Sequence, residues 1–276
     1  MNTRTSLLSG RGLYRDYPLP KESLFGPRPV RHAVIDADFD VFEQETVAVI
    51  GESGSGKSTL MRILLALDSP TRGTVSFGNR PIEPGRPAAT RWLRRETGLV
   101  LQDPYASLDP RFSVGQIIAE PLQALSIPGN HRRQVAEVLG RVGLSAWRAE
   151  QYPHELSGGQ RQRVALARAI VHGPRLLIGD EPLSALDVTI RAQILDLLRE
   201  LREQLNLAIV LVSHDIGLVQ HLAERVYVMS EGRVVESGNA DRVLGNPQHP
   251  YTRTLLDAVP SIPHLLSQSR RETLPA

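Results

Sequence analysis

The stretch Val47 to Thr59, VAVIGESGSGKST, joins an apolar run to a glycine-rich turn and one lysine. Gly51, Gly54 and Gly56 let backbone N–H groups converge on an anion, because a Cβ at such turns blocks close approach or the required dihedrals. Lys57 adds a compact charge. Ser58 opens a helix whose N-terminal dipole favours phosphate, and its hydroxyl is suited to a Mg²⁺ ion. The spacing matches the phosphate-binding pattern GxxxxGK[ST] in full. Lysine is otherwise scarce: of 32 basic residues only Lys21 and Lys57 are lysine. That choice points to a need for a point charge where a planar guanidinium does not fit. Three further places carry groups of this kind: Gln102, the pair Asp180 and Glu181, and His214. Paired carboxylates suggest metal binding beside proton transfer, while the loop alone leaves the nucleotide reaction open.

Short apolar runs precede each of these groups, and such runs read as buried strands. Val47–Ile50 feeds the loop, Gly98–Leu101 ends at Gln102, Leu176–Gly179 ends at Asp180, and Ala208–Val212 runs to His214. Ligand-contacting residues collect at such carboxyl ends in open α/β sheets. Ala33–Phe42 alternates as an edge strand does, and Arg225–Met229 with Arg233–Glu236 reads as a hairpin about Glu231-Gly232. Helical periods occupy SVGQIIAEPLQAL and HRRQVAEVLGRVGL, the segment after Ser157, and Thr189–Gln204. Residues 1–30, rich in Gly, Pro and Arg, read as an irregular edge. The segment Thr71–Arg95 offers mainly turn signals, and the end after Val259 is expected to be disordered.

A chain of 276 residues, 41% hydrophobic, has room for a substantial core. Its net charge of +2 gives no reason to expect a nucleic-acid partner. Absence of cysteine excludes disulfides and thiolate-held clusters. No apolar run approaches the roughly 18 residues of a membrane span, so a membrane role requires a separate partner.

Together with LSGGQ at Leu156–Gln160, the strand-end groups resemble, over nearly the full chain, the nucleotide-binding subunits of ABC transporters. The resemblance implies an α/β P-loop ATPase core with a mostly parallel sheet at 31–102 and 157–240. It also implies an N-terminal antiparallel β part, a helical subdomain at 103–156 and a C-terminal extension at 241–276. It implies ATP and Mg²⁺ as cofactors. Nucleotide contacts fall to Gly51, Ser53, Gly54, Gly56, Lys57, Ser58 and Thr59, and the metal to Ser58, Gln102 and Asp180. Glu181 is the general base, with His214 and Gln102 completing the catalytic set, and Asp187 signals between sites. In this family Ser157, Gly158, Gly159 and Gln160 cap the γ-phosphate on a second ATPase subunit, so two ATP molecules are buried in a head-to-tail dimer. Adenine stacks on an aromatic before the first core strand, here Tyr17, with Tyr14 as the alternative. Gly179 and Leu183 depart from the alanine and threonine common in the family.

QDPYASLDPRFSVGQIIAEPL and GNPQHPYTRTLLDAVP resemble the oligopeptide, dipeptide and nickel importer branch. That implies permease partners in the membrane, an extracytoplasmic substrate-binding protein contacted indirectly, and a place on the cytoplasmic face of the membrane. Peptide is the first expected cargo, nickel or a chelated metal the alternative. A DNA-maintenance ATPase with the same head needs long heptad arms, for which this chain has no room.

Overall fold

The computed structural model describes residues 5–21, 28–85, 88–101, 107–182, 187–213 and 215–258. Two sheets organise them. A six-stranded sheet has the order β10-β9-β3-β8-β7-β6, formed by β3 (Thr46–Ile50), β6 (Thr97–Val100), β7 (Leu176–Asp180), β8 (Ala208–Val212), β9 (Arg225–Ser230) and β10 (Arg233–Asn239). All its pairings are parallel except the β9–β10 hairpin. The four-stranded antiparallel sheet has the order β2-β1-β4-β5, from β1 (Leu8–Pro18), β2 (Val30–Val41), β4 (Arg72–Phe77) and β5 (Arg80–Ile82).

Both faces of the larger sheet are covered, which is why its inner strands read as unbroken apolar runs. Val47, Val49, Ile178, Val210 and Val212 pack on the antiparallel sheet and on α1 (Lys57–Leu64). On the opposite face, Leu177, Ile209 and Leu211 meet α5 (Gly158–Ile170) and α6 (Val188–Leu205). Ala48, Ile50, Val226 and Val228 meet α7 (Ile216–Leu222) and α8 (Ala240–Gly245). The remaining described helices are α2 (Arg91–Glu96), α3 (Val114–Ala124), α4 (His131–Arg141) and α9 (Pro250–Asp257). Helices α3 and α4 rest on α5 through Ile118, Val138, Leu139 and Val164. Ser113 and Gln116 form a capping box that starts α3.

The N-terminal expectation needs correction. Leu8–Pro18 is not irregular but a strand paired on both sides, with Leu8 and Leu13 buried. Register shifts between Gly10 and Asp16 break its alternation, so the period-two signal never accumulates along the chain. Strands β4 and β5, both inside the segment that offers mainly turn signals, complete the same sheet. The end expected to be disordered, 259–276, lies outside the described residues.

Candidate functional site

Strand β3 is fully buried between β8 and β9 and delivers Gly51 at the sheet's carboxyl edge. Gly51, Gly54 and Gly56 have φ of 148°, 83° and 105°, a region that L side chains rarely adopt. Packing adds a second constraint at two of them. A Cβ on Gly51 would fall inside 3.0 Å of the Met229 carbonyl oxygen, and one on Gly56 equally close to that of Ala33. At Gly54 a Cβ would meet nothing within 4 Å. The loop therefore lies on β2 and the β9–β10 turn, where Gly232 N–H donates to Ser55 O at 2.9 Å. Its other side opens to a cavity of about 550 Å³ lined by Arg31, Ala33, Ser53, Gly54, Gly56, Lys57, Ser58, Thr59 and Glu181.

Lys57 is only 6% exposed. Its Nζ donates to the carbonyls of Gly51 and Glu52, both at 2.7 Å. Burial depresses its pKa, opposed by the charges of Glu181, Asp180 and Glu52. An ammonium already removed from water, whose charged form the nearby carboxylates favour, is an attractor for a phosphate entering the cavity.

The β7 end places Asp180 beside the start of α1, and Ser58 Oγ donates to Asp180 Oδ1 at 3.3 Å. Burial raises the pKa of Asp180. The Ser58 hydrogen bond opposes this, Glu181 adds to it, and Lys57 and Arg62 act against it. A hydroxyl and a carboxylate held side by side offer hard oxygen donors to a small divalent cation, and the strain of keeping Asp180 ionised would fall when one binds. These residues fit Mg²⁺. Glu181 follows with φ of 48°, unusual for a residue bearing a Cβ, while its N–H donates to Val212 O at 2.9 Å. That turn ends the strand and sets Glu181 along the same cavity as Lys57 and Ser58.

Arg31 was not among the sequence-predicted residues. It is exposed and belongs to no motif, yet it lines the cavity and pairs in register with Tyr17. Only the β1–β2 alignment, hidden by the bulges, could have signalled it. Tyr17 is half-buried, its hydroxyl bonded to Asp68 at 2.5 Å and one ring face covered by the Arg15 guanidinium at 4.5 Å. Tyr14 lies under Arg72, at 4.0 Å, and its register partner is Arg72 of β4. Neither tyrosine is part of the described lining of the cavity. Gln102, His214 and Leu183 lie outside the described residues.

The LSGGQ residues are absent from the described lining of this cavity. Ser157 caps α5 and forms a reciprocal capping box with Gln160: Gln160 N–H donates to Ser157 Oγ at 3.3 Å and Ser157 N–H to Gln160 Oε1 at 3.0 Å. A Cβ on Gly159 would lie 2.8 Å from Ile190 Cγ2, so this glycine lets α5 approach α6. Gly158 is half-buried at the first position of the same helix. Asp187 caps α6, accepting from Ile190 N–H at 2.9 Å. Gly179 proves to be a packing choice: a Cβ there would stand 2.8 Å from the Pro182 ring.

Comparison with known proteins adds a family context. The family described as ABC transporter matches residues 34–184, and that described as oligopeptide/dipeptide transporter, C-terminal region, matches 235–275. The chain is 42% identical over 270 residues to the dipeptide transport ATP-binding protein DppF of Escherichia coli, covering 97% of this chain and 80% of DppF. It is 47% identical over 231 residues to the glutathione import ATP-binding protein GsiA of Pectobacterium atrosepticum, covering 83% of this chain and 37% of GsiA. A solved dimeric, post-hydrolysis structure of the ATP-binding cassette MJ0796 with ADP and Pi superposes with a TM-score of 0.73. That pair shares 28% identity, over 84% of this chain and 98% of the other.

Proposed function

Because the chain belongs to the ABC transporter family, with the nucleotide-binding ATPase cassette of that family, we propose that it is the ATP-hydrolysing subunit of an importer of small peptides. The observation that carries the catalytic part is Glu181. Its left-handed backbone sets it directly after Asp180 and along the cavity that holds Lys57 and Ser58.

In this reading the N–H groups of Gly54 to Ser58 and the Lys57 ammonium bind the terminal phosphates of ATP. Ser58 and Asp180, joined by Gln102, would hold Mg²⁺, which would supply positive charge against the phosphate oxygens. Glu181 accepts the proton of the attacking water, and His214 keeps the γ-phosphate and Glu181 in register. Tyr17 stacks on adenine.

Separation of LSGGQ from the cavity supports completion of the site by a second ATPase subunit, whose own Ser157-type cap would meet the γ-phosphate. Binding then closes the pair and hydrolysis releases it, a population shift driven by one phosphate. In the same reading Asp187, which caps α6, signals between the two sites. The subunit works from the cytoplasmic face against permease subunits in the membrane, and through them answers to an extracytoplasmic substrate-binding protein. None of the described helices is long and apolar enough to cross a membrane, which supports peripheral attachment.

The peptide assignment rests on the 235–275 match and on relatives named for dipeptide and glutathione transport. Reconstitution with the permeases and binding protein in proteoliposomes tests it, with uptake of labelled dipeptide, glutathione and nickel compared under ATP. Uptake of a peptide, abolished by Glu181→Gln, is expected. Nickel uptake without peptide uptake would reject the peptide reading.

A further inference from the structure

The C-terminal extension touches the phosphate loop. Tyr251 of α9 accepts a hydrogen bond from the Glu52 N–H, at 3.0 Å, across 199 positions of sequence. Glu52 is also where the loop holds its lysine: its carbonyl accepts from Lys57 Nζ at 2.7 Å and from Ser55 N–H at 3.2 Å. The Gly51–Glu52 peptide unit, whose N–H is pinned by the extension, thus bears the Lys57 ammonium on its own carbonyl, that of Gly51, and on the next, that of Glu52.

The seat of Tyr251 is well defined. Glu236 of β10 accepts from the N–H groups of Gln248 and His249, at 2.8 and 3.1 Å. His249 Nδ1 accepts from Tyr251 N–H at 3.2 Å and caps α9, with Pro250 at its first turn. The Tyr251 ring packs beside Leu255 and Leu256 against the cluster containing Ala48 and Ile50, the underside of the strand that feeds the loop. Ring and hydroxyl therefore have separable tasks. The ring belongs to the core, and the hydroxyl supplies an acceptor to a loop amide that is otherwise left without this partner.

We propose that Tyr251 is a positioning residue for nucleotide binding: its phenolic oxygen fixes Glu52, and through Glu52 the placement of Lys57. This makes the extension part of the nucleotide machinery rather than only a cover for the sheet, and it rests on the ATP-binding reading of the site.

Tyr251→Phe in the full chain tests it, since the ring packing is kept and only the hydroxyl is lost. Binding of ATP and steady-state hydrolysis are measured together with the thermal midpoint without nucleotide. Kd and KM for ATP should rise about two- to tenfold, the equivalent of one net hydrogen bond, with kcat within about twofold and the midpoint unchanged. Glu236→Gln, which loosens the seat without touching the loop, should shift KM in the same direction by a smaller factor. An unchanged Kd in Tyr251→Phe, or a rise matched by an equal loss of thermal stability, overturns the proposal. Failure of the wild-type chain to bind ATP would instead overturn the nucleotide reading, and the proposal with it.

Discussion

Alanine at Gly51 and at Gly54 should separate what the fold requires of the phosphate loop from what the ligand requires. Both positions have positive φ, so either substitution carries backbone strain of about 1–3 kcal/mol. Only Gly51 adds overlap, because its new methyl would press on the Met229 carbonyl, part of strand β9 and unable to swing aside. Overpacking of that kind costs about 1–3 kcal/mol more. At roughly 2–4 °C per kcal/mol for a chain near this size, Gly51→Ala should melt about 2–12 °C below Gly54→Ala. The order reverses in meaning for binding. The Gly54 methyl enters open space on the cavity side, so Gly54→Ala should stay folded and bind ATP at least about tenfold more weakly, an expected loss of 1.4 kcal/mol or more. Differential scanning fluorimetry without nucleotide and equilibrium ATP binding on the same samples provide both numbers. Equal melting of the two variants would refute the argument that β9 dictates glycine at position 51.

Asp180→Asn should stabilise the protein measured without nucleotide or metal at pH 7. Burial raises the Asp180 pKa, so the folded chain holds that proton more tightly than the unfolded one. Stability then falls as pH rises from the unfolded pKa through the folded one, and the penalty is fully present above both. Denaturant titrations should show the advantage of Asn shrinking as pH drops through the carboxylate range, while ATP hydrolysis is lost; a gain that grows at low pH would contradict the assignment. Asp187→Ala should cost about 1 kcal/mol through loss of the α6 cap, whereas Asp187→Asn retains the acceptor and the stability. Equal destabilisation in urea melts would argue against capping as the role of that side chain. Arg31→Ala, removing a charge from the cavity rim, should weaken ATP binding more at low than at high salt; salt-independent affinities would exclude an electrostatic role.

Much of the site was legible because its residues report local chemistry. Glycine at 51, 54 and 56 followed by Lys57 describes a turn whose backbone faces an anion. Asp180 and Glu181 close a run of residues, Leu176 to Gly179, that is buried throughout. Strands β3, β7 and β8 were readable for the same reason, since both faces are covered. Less was readable wherever alternation or distance intervened. Strand β1 hides behind its bulges, and with it the pairing that sets Arg31 beside Tyr17. The S-x-x-Q spacing of Ser157 and Gln160 is itself a capping-box pattern, and the structure makes it both a cap and an exposed helix start. The reason for glycine at 179, where the family commonly has alanine, lies in the Pro182 ring, three residues on. Contact between Tyr251 and Glu52 has no local signature, because it depends on where the extension returns to the sheet.

The proposed hydrolysis depends on Glu181 acting on water at a phosphate held by Lys57. Phosphate release and ATP binding, measured together in wild type and Glu181→Gln at saturating Mg-ATP, test this most directly. Binding should stay within about twofold while release falls by about 10²–10⁴-fold, the usual contribution of a positioned general base. Release at the wild-type rate in Glu181→Gln would contradict it.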